Sequence, residues 1–87
     1  MNIDKDITIG TIYFTRHSKN RMRKFKIDRF IVENCIKHAQ FYELLGDKTN
    51  LWCTYQDRYI RVSIVQEADR IVVLTVTLKS KLKEELK

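Results

Sequence analysis

His17 and Arg21 are the two side chains in this sequence whose types and spacing best suit chemistry on a phosphate. Histidine is the residue type that exchanges a proton near neutral pH. Arg21 follows four residues later, which on a helix places it on the same face, where its guanidinium can hold phosphate oxygens. Such a pair could take up or release a proton and stabilise negative charge on a phosphate. An ordinary residue near a helix start, bonded to the backbone, is the alternative for His17.

The segment around this pair, TRHSKNRMRKFKIDR at 15–29, concentrates positive charge. It contains seven basic residues and one acid, a local charge of +6 that equals the net charge of the whole chain. Such localised charge favours an anionic partner, although a solvated helix face is the alternative. The other basic residues beside His17 and Arg21 that we expect to bind this partner are Arg16, Lys19, Arg23, Lys24 and Lys26, and RNA, DNA or an acidic protein would each be attracted to them.

Length and composition favour a single domain over residues 1–87. No run of residues is apolar and long enough to span a bilayer, and the N-terminus carries acids where a secretory signal would be basic. We therefore expect a cytoplasmic protein without a membrane partner. In that compartment Cys35 and Cys53 are expected to be reduced, buried thiols.

The chain alternates between strand and helix patterns in a simple order. Residues 7–14, ITIGTIYF, predict a first strand, and residues 16–25 predict a short polar helix with Met22 and Phe25 buried. Asp28 is expected to cap a second helix. The apolar stripe of that helix comprises Ile31, Val32, Cys35, Ile36 and Ala39.

The second half of the chain reads as an antiparallel meander that ends in a charged, frayed or short helical tail. Alternation predicts Ile60, Val62 and Ile64 toward the helices. In the last strand it predicts that Val72, Leu74, Val76 and Leu78 form the apolar face and that Ile71 and Val73 lie opposite. The half-polar reverse face would carry a second candidate site: Tyr59, Arg61, Thr75, Thr77 and Lys79.

The element order, with the motifs TRHSKNRMRKFKI, DRYIRVSIV and DRIVVLTV, resembles the RelE/ParE-like toxin superfamily over roughly residues 14–78. It is most similar to a small branch whose pattern corresponds here to His17, Ser18, Arg21, Met22 and Ile27. The resemblance implies an α+β, two-layer, RelE-like fold: an N-terminal strand and two helices on a four- or five-stranded antiparallel sheet. It also implies a metal-independent endoribonuclease of a toxin–antitoxin system, with RNA, free or as ribosome-bound mRNA, and an acidic antitoxin as partners. Metal-free RNA cleavage needs a base for the 2′-hydroxyl proton, an acid for the leaving 5′-oxygen and cations for the phosphorane charge.

With this resemblance, the predicted catalytic residues are His17, Arg21, Arg61 and Lys79. The predicted RNA contacts are Arg16, Lys19, Arg23, Lys24, Lys26, Tyr59, Thr75 and Thr77. No cofactor or metal is expected, because Cys35 and His38 have zinc-compatible spacing but no second pair follows. Two positions differ from the branch pattern. A glycine commonly precedes the arginine of the third strand, where this chain has Asp57, and an aromatic residue often follows the final TV, where this chain has Thr77. The missing aromatic favours an alternative function, a non-catalytic basic module that binds nucleic acid or an acidic protein. A third hypothesis is an interaction protein that pairs through the edge strand ITIGTIYF.

Overall fold

A computed structural model describes residues 11–86 as two helices and a five-stranded sheet. The strands are β1 (Thr11–Phe14), β2 (Phe41–Leu45), β3 (Lys48–Tyr55), β4 (Arg58–Gln66) and β5 (Arg70–Lys79). The helices are α1 (Arg16–Phe25) and α2 (Arg29–Lys37), and a 3₁₀ helix follows at Glu84–Leu86. The α+β prediction is confirmed. Residues 7–10 of the predicted first strand lie outside the described residues.

The sheet is mixed, with strand order β1-β5-β4-β3-β2. Strands β2 to β5 form the expected antiparallel meander. Strand β1 pairs parallel to β5, with Phe14 opposite Val73. The prediction of a wholly antiparallel sheet is therefore wrong for β1. Both helices and strands β2 to β4 separate β1 from β5 in the chain, and a parallel pair requires a long connection of this kind.

Local capping explains both helix starts. The side chain of Thr15 accepts a hydrogen bond from the Ser18 amide (3.1 Å), and Asp28 Oδ1 accepts one from the Ile31 amide (3.0 Å). The C-cap of helix α1 is Lys26, whose φ of 58° lies in the left-handed region. The predicted bounds of α1 and the Asp28 cap are confirmed. Helix α2 ends at Lys37, so Ala39 lies beyond the apolar stripe that was expected to include it.

The core lies between the helices and one face of the sheet. Its buried side chains come from both helices, from the segment between them and from β1, β4 and β5: Phe14, Met22, Ile27, Val32, Cys35, Ile36, Ile60, Val62, Ile64, Ile71, Val73 and Val76. The expected inward direction of Ile60, Val62 and Ile64 is confirmed. Burial of this apolar surface is the main stabilising contribution to the fold.

A β-bulge in β5 reverses part of the predicted face assignment. Ile64 lies opposite Val73 but Ser63 lies opposite Thr75, so Leu74 is an extra residue. The bulge shifts the alternation by one position, and Ile71 and Val73 face the core in place of Val72 and Leu74. The Thr15 hydroxyl lies 3.1 Å from the carbonyl oxygens of both Val73 and Leu74, which ties the start of α1 to the bulge.

Cys35 and Cys53 form a disulfide that joins α2 to β3. Their Cα atoms are 5.8 Å apart, within the range that a disulfide requires. The expectation of two reduced thiols is therefore wrong in this structure. Cys35 lies on the apolar side of α2, which packs on the sheet face that carries Cys53. The two cysteines therefore come together only when the helix packs on the sheet. Among residues 11–86, no helix has the length and apolar composition needed to cross a bilayer.

Candidate nucleic-acid interface

The basic side chains of the first helix reach the solvent. We define the α1 surface as Arg16, Lys19, Arg21, Arg23, Lys24 and Lys26. Arg21 is half-buried and the other five are exposed, as is His17. The helix is oriented by two buried residues, Ser18 and Met22, which face β5 and the core. The exposed positions therefore point away from the sheet.

No residue of the α1 surface has an acidic partner within residues 11–86. The ion pairs that the structure describes are instead Arg29–Glu33, Arg70–Glu67 and the pair of Lys83 with Glu43. Arg21 and Lys24 instead lie against the ring of Phe25, at 5.2 and 5.6 Å from its centroid. The positive charges of α1 are thus not neutralised by the part of the chain that the structure describes, and they are available to an external anion.

Helical geometry divides these charges into two groups. Arg16, Lys19 and Arg23 line an open groove of about 550 Å³ between α1 and the end of β1. The other group follows the spacing of one helical face and contains His17, Arg21 and Lys24. The sequence prediction recognised the second group, whereas the groove depends on how β1 meets the helix.

The predicted sheet residues share the reverse face of the sheet. Across β4 and β5, Tyr59 lies opposite Lys79 and Arg61 lies opposite Thr77. Thr75 lies opposite Ser63 on the same face. All five predicted residues are half-buried. The bulge lies before Thr75, so it leaves the second half of β5 in the predicted orientation.

Other parts of the protein restrict this reverse face. The Arg61 guanidinium lies 5.7 Å from the ring of Trp52, and its Nε atom is buried without a hydrogen-bond partner in residues 11–86. The segment after β5 returns toward β2, where Lys83 pairs with Glu43, and Leu82 becomes buried. Arg61 is therefore less accessible to a phosphate than the five exposed cations of the α1 surface, and the same holds for Arg21, whose Nε is also buried without a hydrogen-bond partner in residues 11–86.

A polar network crosses three strands of the reverse face. The Ser63 hydroxyl donates to Asn50 Oδ1 (2.5 Å), and Asn50 Nδ2 donates to Glu43 Oε1 (3.1 Å). Lys83 donates to the other Glu43 oxygen. Sequence reasoning did not identify Asn50, Ser63 or Glu43, because the only signal was their polar type at reverse-face positions of the strands.

The predicted catalytic residues form two separate pairs. His17 and Arg21 lie on α1, and Arg61 and Lys79 lie on the reverse face of the sheet. Within residues 11–86 no hydrogen bond or ion pair joins one pair to the other. The catalytic role of each residue stays a prediction.

Metal-ligating side chains do not cluster in the described part of the chain. There, no group of three or more histidine, cysteine, aspartate or glutamate residues could hold a metal ion. Cys35, which has zinc-compatible spacing to His38, is bonded to Cys53 instead.

Comparisons of the chain with models of known protein families, with curated proteins and with solved structures found no match. The RelE/ParE resemblance therefore stays a prediction that depends on the motifs and on the order of the elements.

The Glu43 network predicts a pH dependence of stability. Hydrogen bonds from Lys83 and then Asn50 lower the pKa of the Glu43 carboxyl from its usual value. A lowered folded-state pKa stabilises the fold above the unfolded pKa of 4.5, and this contribution disappears as the pH falls through the folded value. Because Lys83 is partly exposed, we expect about 1 kcal/mol or less.

Urea unfolding of the wild type and Glu43→Gln between pH 3 and 7 measures this contribution. The free-energy difference between the two proteins should shrink below the unfolded pKa of 4.5. Lys83→Met, like Glu43→Gln, should reduce the pH dependence of the free energy of unfolding. A difference that stays constant over the whole range would contradict the assignment.

Proposed function

We propose that this protein binds single-stranded RNA through the α1 surface. The observation that carries the proposal is that all six cations of this surface lack an acidic partner within residues 11–86. Five of them lie on the ten-residue helix α1, which at 1.5 Å per residue is about 15 Å long, and Lys26 is its C-cap. A line of unneutralised cations of this length matches a few successive phosphates of a nucleic acid strand.

The rigidity of the helix also supports this proposal. The Thr15 contacts to Val73 and Leu74 hold the start of α1, and the Ile27 amide bonds to the Met22 carbonyl at its end (2.9 Å). The basic side chains therefore project from a backbone that does not have to become ordered on binding, which reduces the entropic cost of association.

Charge reversal tests the proposed surface. The double variant Lys19→Glu/Lys24→Glu changes two fully exposed positions, so the fold should be unaffected. We expect weaker binding of a labelled single-stranded RNA and a salt slope that is smaller in magnitude by about 1.4, because each lost phosphate contact in a single strand removes about 0.7. Fluorescence anisotropy over a range of salt concentrations measures both quantities.

The matched control is Lys37→Glu/Lys48→Glu, which makes the same change in net charge at exposed positions outside α1. It should retain the wild-type salt slope. Equal losses in the two double variants would mean that only net charge matters and would remove α1 as the binding surface. Tighter binding of DNA than of RNA would contradict the choice of RNA.

RNA cleavage is the second candidate function, and the position of His17 favours it. His17 is exposed in the first turn of α1, one turn before Arg21 on the same face. In this proposal His17 moves the proton and Arg21, with Lys24, holds the phosphate. Arg61 and Lys79 would contribute only through RNA that also reaches the reverse face of the sheet.

The RelE/ParE-like fold and the toxin–antitoxin setting belong to this second proposal. The order of one strand, two helices and a four-stranded meander supports the fold assignment. An acidic antitoxin would be attracted to the same cations as RNA, so it should compete with RNA for the α1 surface. Cytoplasmic location is part of this proposal.

A further inference from the structure

We propose that the groove between β1 and α1 binds one nucleotide unit of a single-stranded RNA, with the base stacked on Tyr13. This inference extends the proposed RNA binding and depends on it. The β1–α1 groove is lined by Tyr13, Phe14, Arg16, Lys19, Asn20 and Arg23. Its volume of about 550 Å³ lies within the usual range for small-molecule sites.

Tyr13 is positioned as a stacking platform. It lies on the edge strand β1, opposite Val72 in the sheet, and 47% of its surface is exposed. The guanidinium of Arg70 lies 4.8 Å from the ring centroid and is held by Glu67, with Nε and Oε1 2.8 Å apart. With Arg70 fixed against the ring, the remaining exposed part of Tyr13 can accept a base, and any base has a suitable π-face.

The cations of the groove lie where the flanking phosphates of a stacked nucleotide would be. Arg16, Lys19 and Arg23 have the i, i+3, i+7 spacing of one helix side and line the groove together. Asn20 Oδ1 accepts a hydrogen bond from Arg23 Nη1 (3.1 Å), and both residues line the groove. The amide hydrogens of Asn20 have no acceptor within residues 11–86, so they can donate to a ribose or base.

The arrangement favours single strands over duplexes. Tyr13 lines the groove, and its ring is exposed at the edge of the sheet. A base that stacks on it must leave its own duplex stack, which costs free energy unless the strand is already unpaired. The groove therefore assigns Tyr13, which sequence analysis did not select, as the residue that determines strand preference.

The experiment compares Tyr13→Leu, Tyr13→Phe and the matched control Tyr42→Leu, which alters an exposed tyrosine on β2 at the opposite edge of the sheet. The probes are a fluorescent 12-nucleotide oligouridine and a 12-base-pair RNA duplex. Tyr13→Leu should bind oligouridine roughly 5- to 150-fold more weakly, the range for loss of one base stack, with an unchanged salt slope and no remaining preference for the single strand. Tyr13→Phe and Tyr42→Leu should bind as the wild type does.

A second measurement keeps the proposal testable if Tyr13→Leu fails to fold. Oligouridine that contains 4-thiouridine is crosslinked to the wild type, and mass spectrometry should map the crosslink to the peptide with Tyr13. Crosslinks confined to other peptides, or wild-type affinity in Tyr13→Leu, would contradict base stacking on Tyr13 in the groove. Either result would leave the proposal of RNA binding by the α1 surface intact. Absence of any RNA binding by the wild type would overturn both proposals.

Discussion

Cleavage of a single-stranded RNA should slow by about 10²- to 10⁴-fold in His17→Ala, while binding of the same RNA stays close to that of the wild type. The expectation follows from the position of His17, which is exposed in the first turn of α1 and one turn from Arg21. Its imidazole can reach a ribose hydroxyl or a leaving oxygen of an RNA held by the α1 cations. Because five other cations remain exposed, loss of the imidazole should change the chemical step and leave affinity nearly unaltered.

The measurement is the rate of cleavage of an end-labelled RNA in the presence of chelator, with equilibrium binding measured in parallel. His38→Ala is the matched control, because it removes the other exposed histidine, at the end of α2. Chelator and His38→Ala should leave the rate unchanged. Equal rates in His17→Ala and the wild type would end the catalytic assignment. Binding without cleavage by the wild type would favour the non-catalytic alternative.

Reduction of the Cys35–Cys53 disulfide should lower the free energy of unfolding by about 3 kcal/mol, which corresponds to a fall in Tm of roughly 12–24 °C for a domain of this size. The disulfide joins residues 18 positions apart, and closing a loop of that length restricts the unfolded chain. In the folded state it fixes α2 against β3 with Cys35 in the core. Loss of the bond therefore increases the entropy of the unfolded state and leaves the folded packing in place.

Thermal unfolding with and without a phosphine reductant measures this effect, and the mass of the intact protein reports the oxidation state. The double variant Cys35→Ala/Cys53→Ala is the control and should unfold at the same temperature with and without reductant. If the intact mass shows that the disulfide is formed, and the wild type still unfolds at the same temperature with and without reductant, then the disulfide does not stabilise the fold. Unchanged unfolding together with a fully reduced mass would show that the bond does not form in solution.

Sequence analysis predicted helix α1 of the candidate site but did not identify Tyr13, which precedes it. Helix propensity and the spacing of Met22 and Phe25 predicted residues 16–25, and α1 has those bounds. The side on which His17, Arg21 and Lys24 lie follows from the same 3.6-residue period. Tyr13 was missed because its importance depends on the groove that forms where β1 meets α1, and sequence spacing does not describe that junction.

Helix caps, helix periodicity and strand alternation were determined by the sequence itself, because these features depend on neighbours within a few residues. The concentration of the whole net charge in one segment, residues 15–29, was also visible in the sequence alone. The tertiary structure decided the parallel position of β1, the bulge at Leu74, the Cys35–Cys53 bond and the return of the C-terminal segment to Glu43. Most of these features join residues far apart in the chain. The Thr15 hydroxyl and the Val73 carbonyl, for example, are 58 positions apart, so their contact exists only after the helices pack on the sheet.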